Sequence, residues 1–247
     1  MVKYNNPKKR AIVDVLYFLL LLITISSCVK TSYNLDKLNQ QRIDSLINSA
    51  EDSMASNIPF VRAQVKYAMG LVKDSLQYYE VFSVKAFSYL RTDSYDSAYA
   101  SAKRIVRFCH GLPPTSQINT LRSNANNVFG IYHSRIGNLD SSIYYFHMAY
   151  KQLLTGNKAE TLPNLLINLG DTYMMKGNIP NAALYFRKAL FVSDSLNITN
   201  RMGFPIYFGL GQIYMNLRDF ELSDLYFRKA EATFDNRDLN EKFVFCN

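Results

Sequence analysis

Apolar positions carry most of the information in this chain. Across Ala182, Ala183, Phe186, Ala189 and Leu190 they return at steps of three, four and seven, the period of a helix with one buried stripe. Ile43–Met54 and Phe60–Val72 show the same helical spacing and are split by Pro59. Asp74-Ser75 offers a cap for the helix that follows. Gly177-Asn178 interrupts the pattern between two helical stretches. Both residue types tolerate positive φ, so both are expected to form the turn. Ala11–Ile25 differs: it is a nearly continuous apolar run, broken by Asp14 near its start and Thr24 near its end.

The helical pattern repeats. One copy runs Leu169-Gly170-Asp171-Thr172-Tyr173, then Gly177-Asn178, then Ala182-Ala183-Leu184-Tyr185-Phe186-Arg187-Lys188-Ala189. A second, 41 residues on, runs Leu210-Gly211-Gln212-Ile213-Tyr214, then Arg218-Asp219, then Ser223-Asp224-Leu225-Tyr226-Phe227-Arg228-Lys229-Ala230. A third lies 40 residues upstream, with Phe129-Gly130, Gly137-Asn138 and Ser142-Ile143-Tyr144-Tyr145-Phe146-His147-Met148-Ala149; here His133 stands where an aromatic is expected. A weaker fourth has Ala86, Tyr89, Ala98 and Ala102, with Ile105 in the last small position. Gly130, Gly170 and Gly211 fall on the first helix of each unit, where a side chain would hold a neighbour away. Ala182, Ala189 and Ala230 serve the same purpose on the second helix. One helix pair cannot bury its apolar face alone, so the pairs must stack.

These residues resemble the tetratricopeptide repeat, over about 85% of the chain from Leu38 onward. The resemblance implies an all-α, right-handed solenoid of antiparallel helix pairs. Its usual unit is ~34 residues. The 40–41 residues here imply longer helices or a longer link. Residues 38–73 read as a degenerate helix pair and 74–247 as the main array.

The start of the chain reads as an address. Lys3, Lys8, Lys9 and Arg10 precede the apolar run, and Ser26-Ser27-Cys28 follows it, the order of a secretory signal. The run has 15 residues, shorter than the ~20 of a membrane-spanning helix. Ile25-Ser26-Ser27-Cys28 resembles a bacterial lipobox, which implies a signal peptide over 1–27, a lipid on Cys28 and a polar tether over 28–37. The expected location is the periplasm or cell envelope, lipid-anchored to a membrane. An ordinary signal and an uncleaved anchor are the alternatives.

Composition narrows the rest. Ten Gly and seven Pro in 247 residues are too few turn residues for a β-sandwich or barrel. Three Cys, at 28, 109 and 246, make no disulfide framework. The formal charge is +8, but residues 1–27 hold four positive charges and one negative, which leaves +5 spread along the remainder. That gives no nucleic-acid signal.

No pattern points to catalysis, a cofactor or a metal. The three His lie in no ligand motif, and Cys109-His110 reads as a helix end before Gly111. The eighteen Tyr and sixteen Phe mostly fall at repeat positions, where packing is the expected role. Asp-Ser-aliphatic triplets, as at Asp74-Ser75-Leu76 and Asp194-Ser195-Leu196, resemble the O-glycosylation triplet of Bacteroidetes envelope proteins; helix capping accounts for some equally well.

In tetratricopeptide arrays the first helices line a concave groove that binds peptides. By register, the groove positions here are Asn124, Asn127, Ile131 and Arg135; Asn164, Asp171, Met174 and Met175; Phe208, Gln212, Met215 and Asn216. Amide side chains both donate and accept, which suits a peptide backbone, and Met offers an adaptable apolar floor. One Arg and no Lys do not make the basic carboxylate clamp of chaperone-binding members. The expected partner is therefore a peptide or protein in the groove, with a membrane contact through the lipid and no nucleic acid. A further Leu-Gly would fall near residue 251, so the sequence reads as the front of a longer protein. The whole pattern resembles the sensor half of Bacteroidetes envelope signalling proteins. A complete lipoprotein scaffold for envelope assembly is the alternative.

Overall fold

The computed structural model describes residues 36–156 and 158–233, except for the side chains of Asn200 and Arg201. Within them the chain forms ten α-helices and no strand: α1 (36–52), α2 (Ile58–Met69), α3 (Ser75–Leu90), α4 (Tyr95–Cys109), α5 (Ser116–Arg135), α6 (Leu139–Leu153), α7 (Leu162–Met175), α8 (Ile179–Ser195), α9 (Thr199–Asn216) and α10 (Phe220–Ala232). The lipobox, Cys28, Cys246 and the segment from residue 234 lie outside the described residues. Asp36 and Lys37, read above as the end of a tether, already belong to α1.

The turn inside each unit is built the same way three times. Gly137, Gly177 and Arg218 hold positive φ of 78°, 76° and 61°. The next residue closes the first helix: the backbone N–H groups of Asn138, Asn178 and Asp219 donate to the carbonyls of His133, Tyr173 and Tyr214. Its side chain then opens the second helix by accepting from Ser141, Asn181 and Leu222 N–H groups. Gly177-Asn178 forms the expected turn, with Gly177 alone taking positive φ and Asn178, at φ −88°, acting as the cap. One residue ends one helix and starts the next, which fixes the antiparallel return.

Packing within each pair rests on a glycine beneath a phenylalanine. A methyl group on Gly170 would lie 2.8 Å from Phe186, and one on Gly211 would lie 2.7 Å from Phe227. Gly130 meets Phe146 in the same manner. Phe146 and Phe186 are fully buried. Beside each contact runs a parallel ring stack at the same offset: His133 on Tyr145 at 5.2 Å, Tyr173 on Tyr185 at 5.4 Å and Tyr214 on Tyr226 at 5.3 Å. His133 thus takes the aromatic position of its unit.

Stacking between pairs produces the array. From α2 onward each helix packs on the next in sequence, and the first helices α3, α5, α7 and α9 also pack on one another. The second helices have no comparable mutual packing, so they fan outward and the first helices form the inner wall. The extra length of the repeat has both expected sources. Helices α5, α8 and α9 run to 20, 17 and 18 residues. The link between α6 and α7 is also long and includes a 3-10 turn, Ala159–Thr161.

Candidate functional site along the inner wall

Amides hold the inner wall together from helix to helix. Asn124 Nδ2 on α5 donates to Ser83 Oγ on α3 at 3.3 Å. Asn168 Nδ2 on α7 donates to Asn127 Oδ1 on α5 at 3.0 Å. Asn124 and Asn127 therefore sit at the junctions between units, half-buried and partly satisfied. Ser83 and Asn168, which the repeat register did not single out, are their partners.

The remaining expected positions divide. Asn164, Met175 and Asn216 are exposed, and Gln212 is half-buried with its carbonyl capturing Asn216 Nδ2 at 3.0 Å. Ile131 packs against the cluster of Phe146, Leu165 and Leu169. Met174 packs against the cluster around Phe186 and Ile206. Phe208 contacts Phe204 at 5.8 Å and Phe227 at 5.5 Å. These three belong more to the core than to a groove floor. Arg135 lies over the Tyr95 ring at 5.4 Å, toward the start of α4, so the one groove cation is engaged within the chain.

Asp171 is the chemically distinctive residue of the wall. It projects from α7 one residue beyond Gly170, is half-buried, and has no hydrogen bond or ion pair with any described residue. Burial pushes its carboxyl up to about 6, and burial is the only cause. A second carboxylate is treated differently. Lys158, in the α6–α7 link, reaches back to α1, where Nζ meets Glu51 Oε2 at 2.7 Å and Asn48 Oδ1 at 3.4 Å. The same link is held at the start of α5, where Asn119 Nδ2 donates to Thr155 Oγ1 at 2.9 Å. Glu80 on α3, in the register of Asn124, feels this charge. Burial, then Asp44 and Asp74, raise its carboxyl to about 7, and Lys158 partly offsets them. Sequence spacing could not have found this group, because residues 51 and 158 meet only through the curvature of the array.

The groups set aside earlier behave as packing. Cys109 is buried, and burial raises its thiol despite nearby Arg122. Among the described residues no group of three or more His, Cys, Asp or Glu could hold a metal ion. Among them, too, no helix is long and apolar enough to cross a membrane.

Residues 204–232, covering most of α9 and α10, match the family described as Tetratricopeptide repeat. The solved structure of BtubC (BKLC) from P. vanneervenii is similar at TM-score 0.54 and 15% identity, covering 79% of this chain and 90% of that one. The fold is a tetratricopeptide solenoid. MamA is a more distant structural likeness, at TM-score 0.45 and 17% identity over 71% of this chain and 88% of that one. No curated protein matches in sequence.

Proposed function

We propose that this tetratricopeptide solenoid is a binding module that holds an extended peptide or protein segment against the inner wall of α5, α7 and α9. The wall amides carry the reading. Asn124, Asn127 and Asn168 link adjacent units yet keep unused donor and acceptor capacity, since each amide offers two N–H groups and a carbonyl. Exposed Asn164, Asn216, Met175 and Met215 flank them. Such a surface matches the alternating donors and acceptors of an extended backbone.

Photo-crosslinking tests this directly. A crosslinking residue at Asn164, on the inner wall, should trap a partner in cells, and one at Phe191, exposed on α8, should not. Asn127→Ala with Gln212→Ala should weaken the trapped complex while helicity stays unchanged. Crosslinks from Phe191 alone would move the binding surface to the outer helices and sink the groove reading.

The N-terminal pattern supports an envelope location, with Cys28 as the lipid-bearing residue and the module as the sensory part of a signalling protein. The alternative is a complete lipoprotein scaffold for outer-membrane or envelope assembly. Cys28→Ala should release the protein from membranes into the soluble fraction; unchanged membrane association would refute the lipid anchor. Translating the reading frame beyond codon 247 separates the two envelope roles. An output domain there favours the sensor, and a stop codon favours the scaffold.

A further inference from the structure

We infer that Asp171 is the anchor for a cationic side chain, lysine or arginine, of the segment held on the inner wall. The inference rests on the groove reading and specifies its ligand. A half-buried carboxylate with no partner is costly when ionised, and a cation placed on it would offset that cost. The structure contains an internal precedent. At Glu51 on α1 a partly exposed carboxylate takes a lysine delivered from a distant link, with Nζ–Oε2 at 2.7 Å. Asp171 has the same chemistry and no such occupant from the described residues.

The surroundings favour an external cation over an internal one. Arg135 is committed to Tyr95, and Lys176, which follows α7, pairs with Asp140 on α6. Lys188 lies over the Tyr185 ring at 5.4 Å. These three basic groups are thus already engaged within the chain. The amide pair Asn127–Asn168 lies one helical turn before Asp171 and can hold the partner's backbone while the carboxylate takes its charged end. The whole chain is basic at +8, so bulk charge opposes binding of a basic peptide. A preference for such a peptide would have to come from a local acidic group.

The test uses the full chain and two fluorescent decapeptides with blocked ends, one alternating Ser and Lys, the other Ser and Glu. Fluorescence anisotropy should show at least tenfold tighter binding of the Lys peptide. Asp171→Asn should remove most of that preference with the circular dichroism spectrum unchanged. Asp171→Glu should retain part of it. Equal affinity for the two peptides, binding of neither, or an undiminished preference in Asp171→Asn would overturn the inference. Tighter binding of the Glu peptide that Asn127→Ala abolishes would overturn it too, while leaving the groove reading intact. Loss of inner-wall crosslinks is the separate result that removes the groove itself.

Discussion

Phe186 covers Gly170 so closely that no methyl group fits between them. The same ring also blocks any side chain at Gly209, on the first helix of the next unit. One phenylalanine therefore joins two consecutive helix pairs. Phe186→Ala should cost about 3–5 kcal/mol, because it opens a cavity shared by both units. Gly170→Ala should cost about 1–3 kcal/mol by overpacking. Urea unfolding followed by circular dichroism measures both. A Phe186→Ala loss below about 1 kcal/mol would mean that this ring does not couple the units.

Arg218 occupies the left-handed position that glycine holds at 137 and 177, with φ 61°. A side chain is strained there by about 1 kcal/mol. Arg218→Gly should raise stability by up to about that amount, and Gly177→Ala should lower it similarly. Thermal melting compares them; a destabilising Arg218→Gly would show that the arginine side chain makes a compensating contact.

Glu51 and Lys158 join residues 107 positions apart and are only partly exposed. A double-mutant cycle with Glu51→Gln and Lys158→Met should return a coupling of about 1 kcal/mol. Limited proteolysis of Lys158→Met should show faster cleavage in the α6–α7 link. Unaltered cleavage would indicate that the ion pair does not restrain this segment.

Two wall carboxylates make stability fall as pH rises. Glu80 moves from 4.5 to about 7 and Asp171 from 3.8 to about 6, so the folded state binds more protons than the unfolded state within those windows. Stability from these groups is fullest below about pH 4 and declines up to about pH 7. Allowing for solvent access to both, the combined loss is on the order of 2 kcal/mol. Glu80→Gln with Asp171→Asn should flatten the profile between pH 4 and 7 and raise the melting temperature at pH 8. A wild-type profile that climbs across this interval would contradict the assigned burial.

Much of the fold was legible in the residues because the repeat is a local code. Gly170 with Phe186, and Tyr173 with Tyr185, recur at a fixed offset and pack within one helix pair. The residues of the turn were legible too, but not the separate part each plays. Gly177 takes positive φ, but Asn178 is bound by the hydrogen bonds of two helices and takes an ordinary cap conformation. The wall was less legible still. Register placed Asn124 and Asn127 on α5 and Asp171 on α7, but it could not show that Asn168 pairs with Asn127, nor that Arg135 turns to Tyr95.

The sequence by itself determined the helix pairs, their caps and the close approach within each unit, since these depend on neighbours fewer than about twenty residues away. Tertiary structure alone decided which of Glu51 and Asp171 gains a counter-charge. Glu51 on α1 meets Lys158 because stacked units curve and bring distant edges together, while half-buried Asp171 on α7 is left with no counter-charge among the described residues. Curvature sums small rotations between units, and no short stretch of residues encodes that sum.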